Sequence, residues 1–206
     1  MVRKPGAYRN VFKRLLDIGS ILLAAPAVVP VVAGLVIAVA CDGGNPFYSQ
    51  MRVGRGGRAF RMWKLRSMVA GADALLEAHL AAEPAARQEW DETQKLQADP
   101  RITRFGRVLR RSSLDELPQL WNVLMGDMSL VGPRPMMLNQ RDMYSGEAYY
   151  ALRPGITGYW QTAGRSRTSF AARADIDTAY EAEVSLATDL RILWRTVSVV
   201  LRGTGC

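Results

Sequence analysis

The chain has 206 residues, enough for one or one and a half domains of ordinary size. Its net charge of +8 suggests a polyanionic partner such as nucleic acid, anionic lipid or a phosphorylated substrate. The chain contains two cysteines, Cys41 and Cys206, and one histidine, His79. These counts exclude a disulfide framework and a histidine-rich metal site, so a bound metal ion would have oxygen ligands.

An uncharged apolar segment dominates the N-terminal part of the chain. Residues 18–41 contain no charged side chain over 24 positions, which is long enough for a bilayer and too long for the core of a secretory signal. Pro26 and Pro30 lie inside it, and each removes a helical hydrogen bond and kinks the axis. Basic residues, which mark the cytoplasmic side of a membrane segment, flank both ends: Arg3, Lys4, Arg9, Lys13 and Arg14 before it, and Arg52, Arg55, Arg58, Arg61, Lys64 and Arg66 after it.

Both observations are satisfied by a helix that breaks at Ala25-Pro26 and returns to the face that it entered. Each arm of about ten residues would rise ~15 Å, roughly one leaflet. The alternative is an ordinary kinked transmembrane helix.

Two further segments follow the membrane segment. Gly54-Arg55-Gly56-Gly57 predicts a hairpin turn between two short strands, since its spacing fits neither a P-loop nor a dinucleotide fingerprint. Residues 70–100 predict one helix before Pro84 and another after it, in a solvated acidic insert. The insert holds two basic residues, Arg87 and Lys95, and seven acids: Asp73, Glu77, Glu83, Glu89, Asp91, Glu92 and Asp99.

The stretch from Ser113 to Pro135 predicts a short helix with Pro118 in its first turn, because proline is tolerated only in the first helical turn. This places Asp115 near the N-cap and Glu116 first inside the helix, where backbone N–H groups attract a phosphate and keep a carboxylate ionised. The predicted apolar face is Leu117, Leu120, Trp121 and Leu124, and Gly126 suits the residue just past the end. The alternative is that the two acids only cap the helix.

The remaining segments are more basic. Arg134 lies between two prolines, and the prediction after Pro135 is a helical stretch to about residue 150. The loop from Arg153 to Arg165 contains three glycines, and a last helix spans about residues 183–202. This helix has an apolar face and a basic face, which suits either a membrane surface or a protein core. The apolar face comprises Leu186, Leu190, Leu193, Val197, Val200 and Leu201, and the other face comprises Arg191, Arg195, Ser198 and Arg202.

Three motifs resemble those of the bacterial sugar transferase family, the monotopic polyprenyl-phosphate phosphoglycosyl transferases. They are Lys64-Leu-Arg66-Ser-Met68, the whole stretch 113–135 and the loop 153–165, and the resemblance runs from Phe12 to Gly203. It implies an α+β fold: a re-entrant N-terminal membrane helix hairpin in residues 1–45, and in residues 46–206 a small, mostly helical cytoplasmic catalytic domain with short β-strands and amphipathic interfacial helices. The family has Ser-Pro at the helix break, where this chain has Ala25-Pro26.

The resemblance also implies an activity. It is the transfer of a hexose-1-phosphate from a UDP-sugar to polyprenyl (undecaprenyl) phosphate with release of UMP, the first membrane step of exopolysaccharide or O-antigen synthesis. Asp115 would attack the sugar-linked phosphorus and form a covalent aspartyl-phosphosugar intermediate, which an activated carboxylate can do. Mg²⁺ would be held by Glu116 with Asp115. By motif position, the candidate phosphate-binding residues are Lys64, Arg110, Arg134 and Arg165, and Gln161 faces the nucleotide.

The expected location is the bacterial inner (cytoplasmic) membrane, with membrane lipid as a partner and the catalytic domain facing the cytoplasm. The acidic insert and the last helix are candidates for a homodimer contact. Two other functions stay open, a non-catalytic membrane scaffold and a membrane-tethered nucleic-acid binder. No helix-turn-helix, RRM or zinc motif is present in the sequence, so nucleic acid is not an expected partner.

Overall fold

A computed structural model describes residues 6–93, 96–162 and 172–201. The helices are α1 Lys13–Cys41, α2 Ala72–Ala82, α3 Pro84–Thr93, α4 Arg104–Ser112, α5 Gln119–Met125, α6 Ala148–Ala151, α7 Tyr159–Thr162, α8 Ala172–Glu183 and α9 Leu186–Leu201. The strands are β1 Phe47–Val53, β2 Ala59–Leu65, β3 Ser129–Val131, β4 Met136–Met137 and β5 Gly155–Thr157. A π-helical turn, Tyr8–Phe12, precedes α1, and 3₁₀ turns span Arg55–Gly57, Leu114–Glu116 and Leu138–Gln140. The predicted mixture of many helices and few short strands is confirmed.

The helical assignment of α1 continues through Ala25, Pro26 and Pro30. A proline removes one helical hydrogen bond and bends the axis without necessarily ending the helix, so the return of this segment to the face that it entered stays a prediction. Together with the preceding π-helical turn, α1 has the length and apolarity needed to cross a membrane, with a mean hydropathy of 2.6 in its most apolar window.

Both ends of α1 pack on the same domain. At the N-terminal end, Lys13, Asp17 and Ile21 are buried, and at the C-terminal end Val39 packs with Leu65 and Leu109. Between these contacts, residues 22–34 contain no buried side chain. The described part of the protein therefore does not cover the apolar middle of α1.

A buried polar cluster fixes the N-terminal end of α1 against α9. Asp189, fully buried, accepts hydrogen bonds from Tyr8 at 2.7 Å and from Tyr180 at 2.7 Å. Lys13 Nζ lies 2.5 Å from the same carboxylate. Because a buried carboxylate is tolerated only with such partners, the cluster defines where α1 meets the domain.

The predicted hairpin is confirmed, and β1 is the central strand of the antiparallel sheet β2-β1-β4. The register pairs Tyr48 with Lys64, Gln50 with Met62 and Arg52 with Phe60. Since side chains alternate along a strand and paired residues share a face, these six side chains lie on one face of the hairpin. A second sheet pairs β3 with β5 in parallel.

Helix α5 docks on the free edge of β2 through Asn122. Its side chain accepts a hydrogen bond from the Trp63 backbone N–H at 3.0 Å and donates one to the Arg61 carbonyl at 2.7 Å. Arg14 of α1 donates to the carbonyls of Val123 and Leu124 at the C-terminal end of α5. These bonds position α5, and the turn before it, against the hairpin.

The apolar face predicted for this helix is wrong in part. Gln119, Asn122 and Val123 are buried, whereas Trp121 is 58% exposed. The polar pair is buried because the Asn122 amide satisfies backbone groups of an edge strand, which hydrophobic periodicity does not reveal.

Among the other predictions, the helices on each side of Pro84 are confirmed as α2 and α3, and Gly126 ends α5 with a left-handed φ of 90°. The helical stretch predicted after Pro135 is wrong, because β4 and a 3₁₀ turn come first and only α6 is helical. The last helix exists as α9, and its predicted apolar face is exposed at Leu186, Leu190 and Val197.

Candidate active site

The two adjacent acids lie in the 3₁₀ turn Leu114–Glu116, between α4 and α5. Ser113 reverses the chain after α4 with a positive φ of 58°. Pro118 occupies the N-cap of α5, so the prediction that Asp115 lies near the N-cap and Glu116 inside the helix is wrong. The helix begins later because i→i+3 bonds, such as that from the Leu117 N–H to the Leu114 carbonyl, hold the chain in a tighter turn.

Lys64 of β2 forms ion pairs with both carboxylates of the adjacent acids Asp115 and Glu116, which are called the dyad below. Its Nζ lies 2.8 Å from Glu116 Oε1 and 3.6 Å from Asp115 Oδ2. Asp115 is only 7% exposed. Burial raises the pKa of Asp115 above its ordinary value, and the positive charges of Lys64 and Arg110 oppose that rise. The site thus contains a largely desolvated carboxylate whose ionised form depends on neighbouring cations.

Arg110 approaches Asp115 from the last turn of α4. Its Nε donates to Ser67 Oγ at 2.9 Å, and burial lowers the pKa of Arg110 while the charge of Asp115 raises it. Gly106 allows this packing, because a Cβ there would overlap the Ser67 backbone carbonyl. The N-cap Thr103 accepts a hydrogen bond from the Gly106 N–H at 2.8 Å.

Three glycines interlock the loop that carries Arg134 with the loop that leads to Gln161. Added Cβ atoms at Gly132, Gly155 or Gly158 would overlap backbone atoms of the facing loop. The Gly155 N–H donates to the Pro133 carbonyl at 2.8 Å. Glycine is required here for close backbone approach.

The two loops and the hairpin line one pocket. Its walls are Arg52, Met62, Lys64, Glu116, Gln119, Arg134, Pro135, Gly155, Ile156 and Gln161. Of the predicted site residues, the pocket brings together Lys64, Glu116, Arg134 and Gln161, with Asp115 reached through Lys64. Arg165 lies outside the described residues.

Arg134 and Gln161 each contact a neighbouring protein group as well as the pocket. The Arg134 guanidinium carbon lies 5.1 Å from the centre of the Trp160 ring, a cation–π contact. Gln161 is 4% exposed, and its Nε2 donates to the Ile156 carbonyl at 3.4 Å. Each of the two side chains therefore has a contact with the protein that helps to orient it.

Sequence reasoning missed Arg52 and Gln119. Arg52 was counted only among the basic residues that flank the apolar segment. The signal was available in the hairpin, because strand alternation places Arg52 on the same face as Lys64 once the register is set by the turn. Gln119 was missed because it lies in a helix whose sequence is otherwise mostly apolar, so the pattern gave no sign of a polar site there.

The dyad fits a hard divalent cation. Oxygens from Asp115 and Glu116 converge on one cationic centre, the Lys64 ammonium, and Mg²⁺ prefers one or two carboxylates completed by water and substrate phosphates. Within the described ranges, no group of three or more histidine, cysteine or acidic residues forms a dedicated metal cage. Two carboxylates are fewer ligands than Mg²⁺ takes, so water and substrate phosphates would have to complete its coordination.

Comparison with known proteins identifies the family. The model of the family "Bacterial sugar transferase" matches residues 8–203. The chain is 46% identical over 195 residues to a UDP-galactose-lipid carrier transferase of Erwinia amylovora, covering 94% of this chain and 41% of that protein. It is 44% identical over 195 residues to an undecaprenyl-phosphate galactose phosphotransferase of Salmonella typhimurium, covering 94% and 41%.

A shorter relative is matched along most of its length. The exopolysaccharide production protein ExoY of Sinorhizobium fredii is 42% identical over 211 residues, covering 98% of this chain and 92% of that protein. The chain thus spans about two fifths of the two longer relatives and nearly all of the shorter one. Since the family model covers almost the whole chain, including the dyad and the pocket, the chain belongs to the bacterial sugar transferase family.

Proposed function

We propose that the chain transfers a hexose-1-phosphate from a UDP-sugar to undecaprenyl phosphate and releases UMP, as the first membrane step of exopolysaccharide or O-antigen synthesis. The observation that carries the proposal is the Asp115–Glu116 dyad beside a pocket that Lys64 and Arg134 make strongly basic. The names of the relatives support the same reaction class. They give no support to a non-catalytic scaffold or a nucleic-acid binder.

In the first step, an Asp115 carboxylate oxygen attacks the phosphorus that bears the sugar. A bond forms between this oxygen and phosphorus, the bond from phosphorus to the bridging oxygen breaks, and UMP leaves with the electron pair. The product is an aspartyl-phosphosugar, an acyl phosphate. The partly desolvated Asp115 suits this role, because a carboxylate with few water partners is a stronger nucleophile.

In the second step, a phosphate oxygen of undecaprenyl phosphate attacks the same phosphorus. The bond between phosphorus and the Asp115 oxygen breaks, and the carboxylate is regenerated. The lipid product carries the sugar on a diphosphate. No external base is needed, because the attacking phosphate is already an anion at neutral pH.

The basic side chains position and stabilise the phosphates. Lys64 opposes the rise that burial causes in the pKa of Asp115, and its ammonium is near enough to share its charge with an incoming phosphate. Arg134 offers a planar guanidinium from a backbone that two prolines restrict. We assign Gln161 to the nucleotide, and Arg110 and Arg165 to phosphate binding by their motif positions.

Mg²⁺ is assigned to Glu116 together with Asp115. When bound, it would supply charge neutralisation at the diphosphate oxygens. The two adjacent carboxylates support this assignment, because oxygen atoms are the ligands that Mg²⁺ prefers.

We further propose that α1 enters and leaves the bacterial inner membrane on the cytoplasmic side, where the catalytic domain lies. Both ends of α1 contact that domain, and residues 22–34 are not buried by it. A straight span would separate the two ends by ~30 Å of hydrocarbon, which a polar domain would have to cross. The exposed apolar face of α9, with Trp194 79% exposed, supports contact with the membrane surface.

The covalent mechanism is tested by UMP release before any lipid is added. Wild-type protein mixed with UDP-sugar alone should release up to one UMP per active site and retain radiolabel from the sugar, removable by hydroxylamine. Asp115→Asn should abolish both, because its amide is not a nucleophile of comparable strength. UMP that appears only with undecaprenyl phosphate, with no trapped label, would indicate direct transfer in a ternary complex. A panel of UDP-sugars in the same assay identifies the donor.

Glu116→Gln separates cation binding from nucleophilic attack. The variant keeps the shape of the side chain and loses the charge that a divalent cation requires. We expect a higher Mg²⁺ concentration for half-maximal rate, with label still trapped on Asp115. Equal Mg²⁺ dependence in wild type and variant would remove Glu116 from the cation site.

A further inference from the structure

Arg52 is a cation of the pocket with no acidic partner among the described residues. It lies on the central strand β1, so its backbone is fixed on both sides. Its Nη2 donates to Gln50 Oε1 at 2.6 Å and its Nη1 to the Pro135 carbonyl at 3.4 Å. Both acceptors are neutral. The Nε atom is buried and has no hydrogen-bond partner in the described part of the chain.

The positive charges of the pocket divide into two groups. Lys64 is already paired with the dyad carboxylates. Arg52 and Arg134 form no ion pair within the described ranges, and both line the same pocket. Burial and repulsion by Arg134 lower the pKa of Arg52 to about 10, so Arg52 is still charged at neutral pH. Two neighbouring uncompensated guanidiniums are stabilised by a shared anion, and their planar donors match phosphate oxygens.

We infer that Arg52 binds a phosphate group of one of the two substrates, together with Arg134, at the end of the pocket away from the dyad carboxylates. The inference rests on the proposed function, which supplies two phosphates besides the one under attack: the nucleotide phosphate of the UDP-sugar and the phosphate of undecaprenyl phosphate. The dyad end carries out the chemistry, and the arginine pair holds the phosphate that is not attacked at that moment.

The test compares Arg52→Lys with wild type and with a matched control, Arg61→Lys. Lysine keeps the charge and loses the planar fork. Arg61 is an exposed arginine on the neighbouring strand whose guanidinium lies over Trp63, outside the pocket. UMP affinity is measured by calorimetry in detergent, well below the melting temperature of each variant, and the half-saturating concentration of undecaprenyl phosphate is measured in the transfer assay. Arg52→Gln, which loses the charge as well, is the second variant.

If Arg52 binds the nucleotide phosphate, UMP should bind roughly tenfold more weakly to Arg52→Lys and more weakly still to Arg52→Gln. The UMP affinity of Arg61→Lys should equal that of wild type. Binding of the lipid phosphate predicts unchanged UMP affinity and a roughly tenfold higher half-saturating concentration of undecaprenyl phosphate. Either result supports the inference and identifies the source of the phosphate.

If Arg52 only stabilises the fold, a different pattern is expected. Its variants would melt at a lower temperature but bind UMP and undecaprenyl phosphate normally once folded, and that result would overturn the inference. An equal loss in Arg61→Lys would overturn it too. Wild-type UMP release tests the proposed reaction separately, because UMP affinity is read without turnover.

Discussion

Among charged residues, Lys64 has the largest effect on the pKa of Asp115. It is the only side chain that forms ion pairs with both Asp115 and Glu116 among the described residues. Burial raises the pKa of Asp115, and Lys64 is the first of the charges that lower it again. The fraction of nucleophilic carboxylate at a given pH therefore depends on a residue of another strand.

The pH dependence of the UMP burst tests this influence. Asp115 attacks only when it is ionised, so the rate falls as the pH falls through its pKa, which burial raises above its ordinary value. Lys64→Met removes a cation that lowers this pKa, so the acid limb should move to higher pH, whereas Lys64→Arg should leave it near the wild-type position. The measurement is burst rate against pH at fixed Mg²⁺. Identical acid limbs in Lys64→Met and wild type would show that Lys64 does not control the ionisation of the dyad.

Among structural elements, the interlocked loops decide where Arg134 and Gln161 stand. Gly132 meets Gly155 and Gly158 backbone to backbone, so the position of each loop limits the position of the other. The conformation of the pocket wall thus depends on the absence of three Cβ atoms.

Gly155→Ala tests this dependence. The added methyl group would overlap the Gly132 backbone, which cannot rotate away like a side chain. We expect the variant to lose roughly 1–3 kcal/mol of stability, as overpacked sites do, and most of its activity as Arg134 shifts. Gly34→Ala is the matched control, since nothing lies within 4 Å of an added Cβ there. Melting temperature and UMP release are the readouts, and equal values for the two variants would contradict the argument.

On the scale of the whole molecule, α1 is attached to the domain at two places with an apolar stretch between them. The buried Asp189 cluster fixes one end, and Val39 with Leu65 and Leu109 fixes the other. Arg66 also donates to the Val39 carbonyl at 3.0 Å. These contacts constrain the path of the helix through a membrane more strongly than its length does.

Cysteine labelling in intact cells tests the topology. Gly6 and Cys41 are both exposed, one on each side of the apolar stretch. Both test proteins carry Cys206→Ser. One keeps Cys41 as its labelling site, and the other has Gly6→Cys together with Cys41→Ser. Neither site should react with an impermeant reagent added outside intact cells, and both should react after the cells are opened. Labelling of only one site from outside would establish a transmembrane span in place of the re-entrant arrangement.

Local patterns in the sequence determined the elements that depend on near neighbours. The apolar segment, the hairpin, the two helices around Pro84 and the last helix were all predicted, because a helix or a strand follows from side chains two to four positions apart. The motifs around Lys64, Asp115 and Arg134 likewise indicated the family.

Only the tertiary structure decided which of these residues meet. The contact of Lys64 with the dyad and the presence of Arg52 in the pocket depend on pairing between segments that are far apart in sequence. The buried face of α5 was mispredicted because Asn122 replaces a missing strand partner, an interaction that no periodicity encodes. Sequence patterns report the burial of apolar side chains, whereas these contacts arise from the hydrogen bonds and charges that folding must satisfy across the chain.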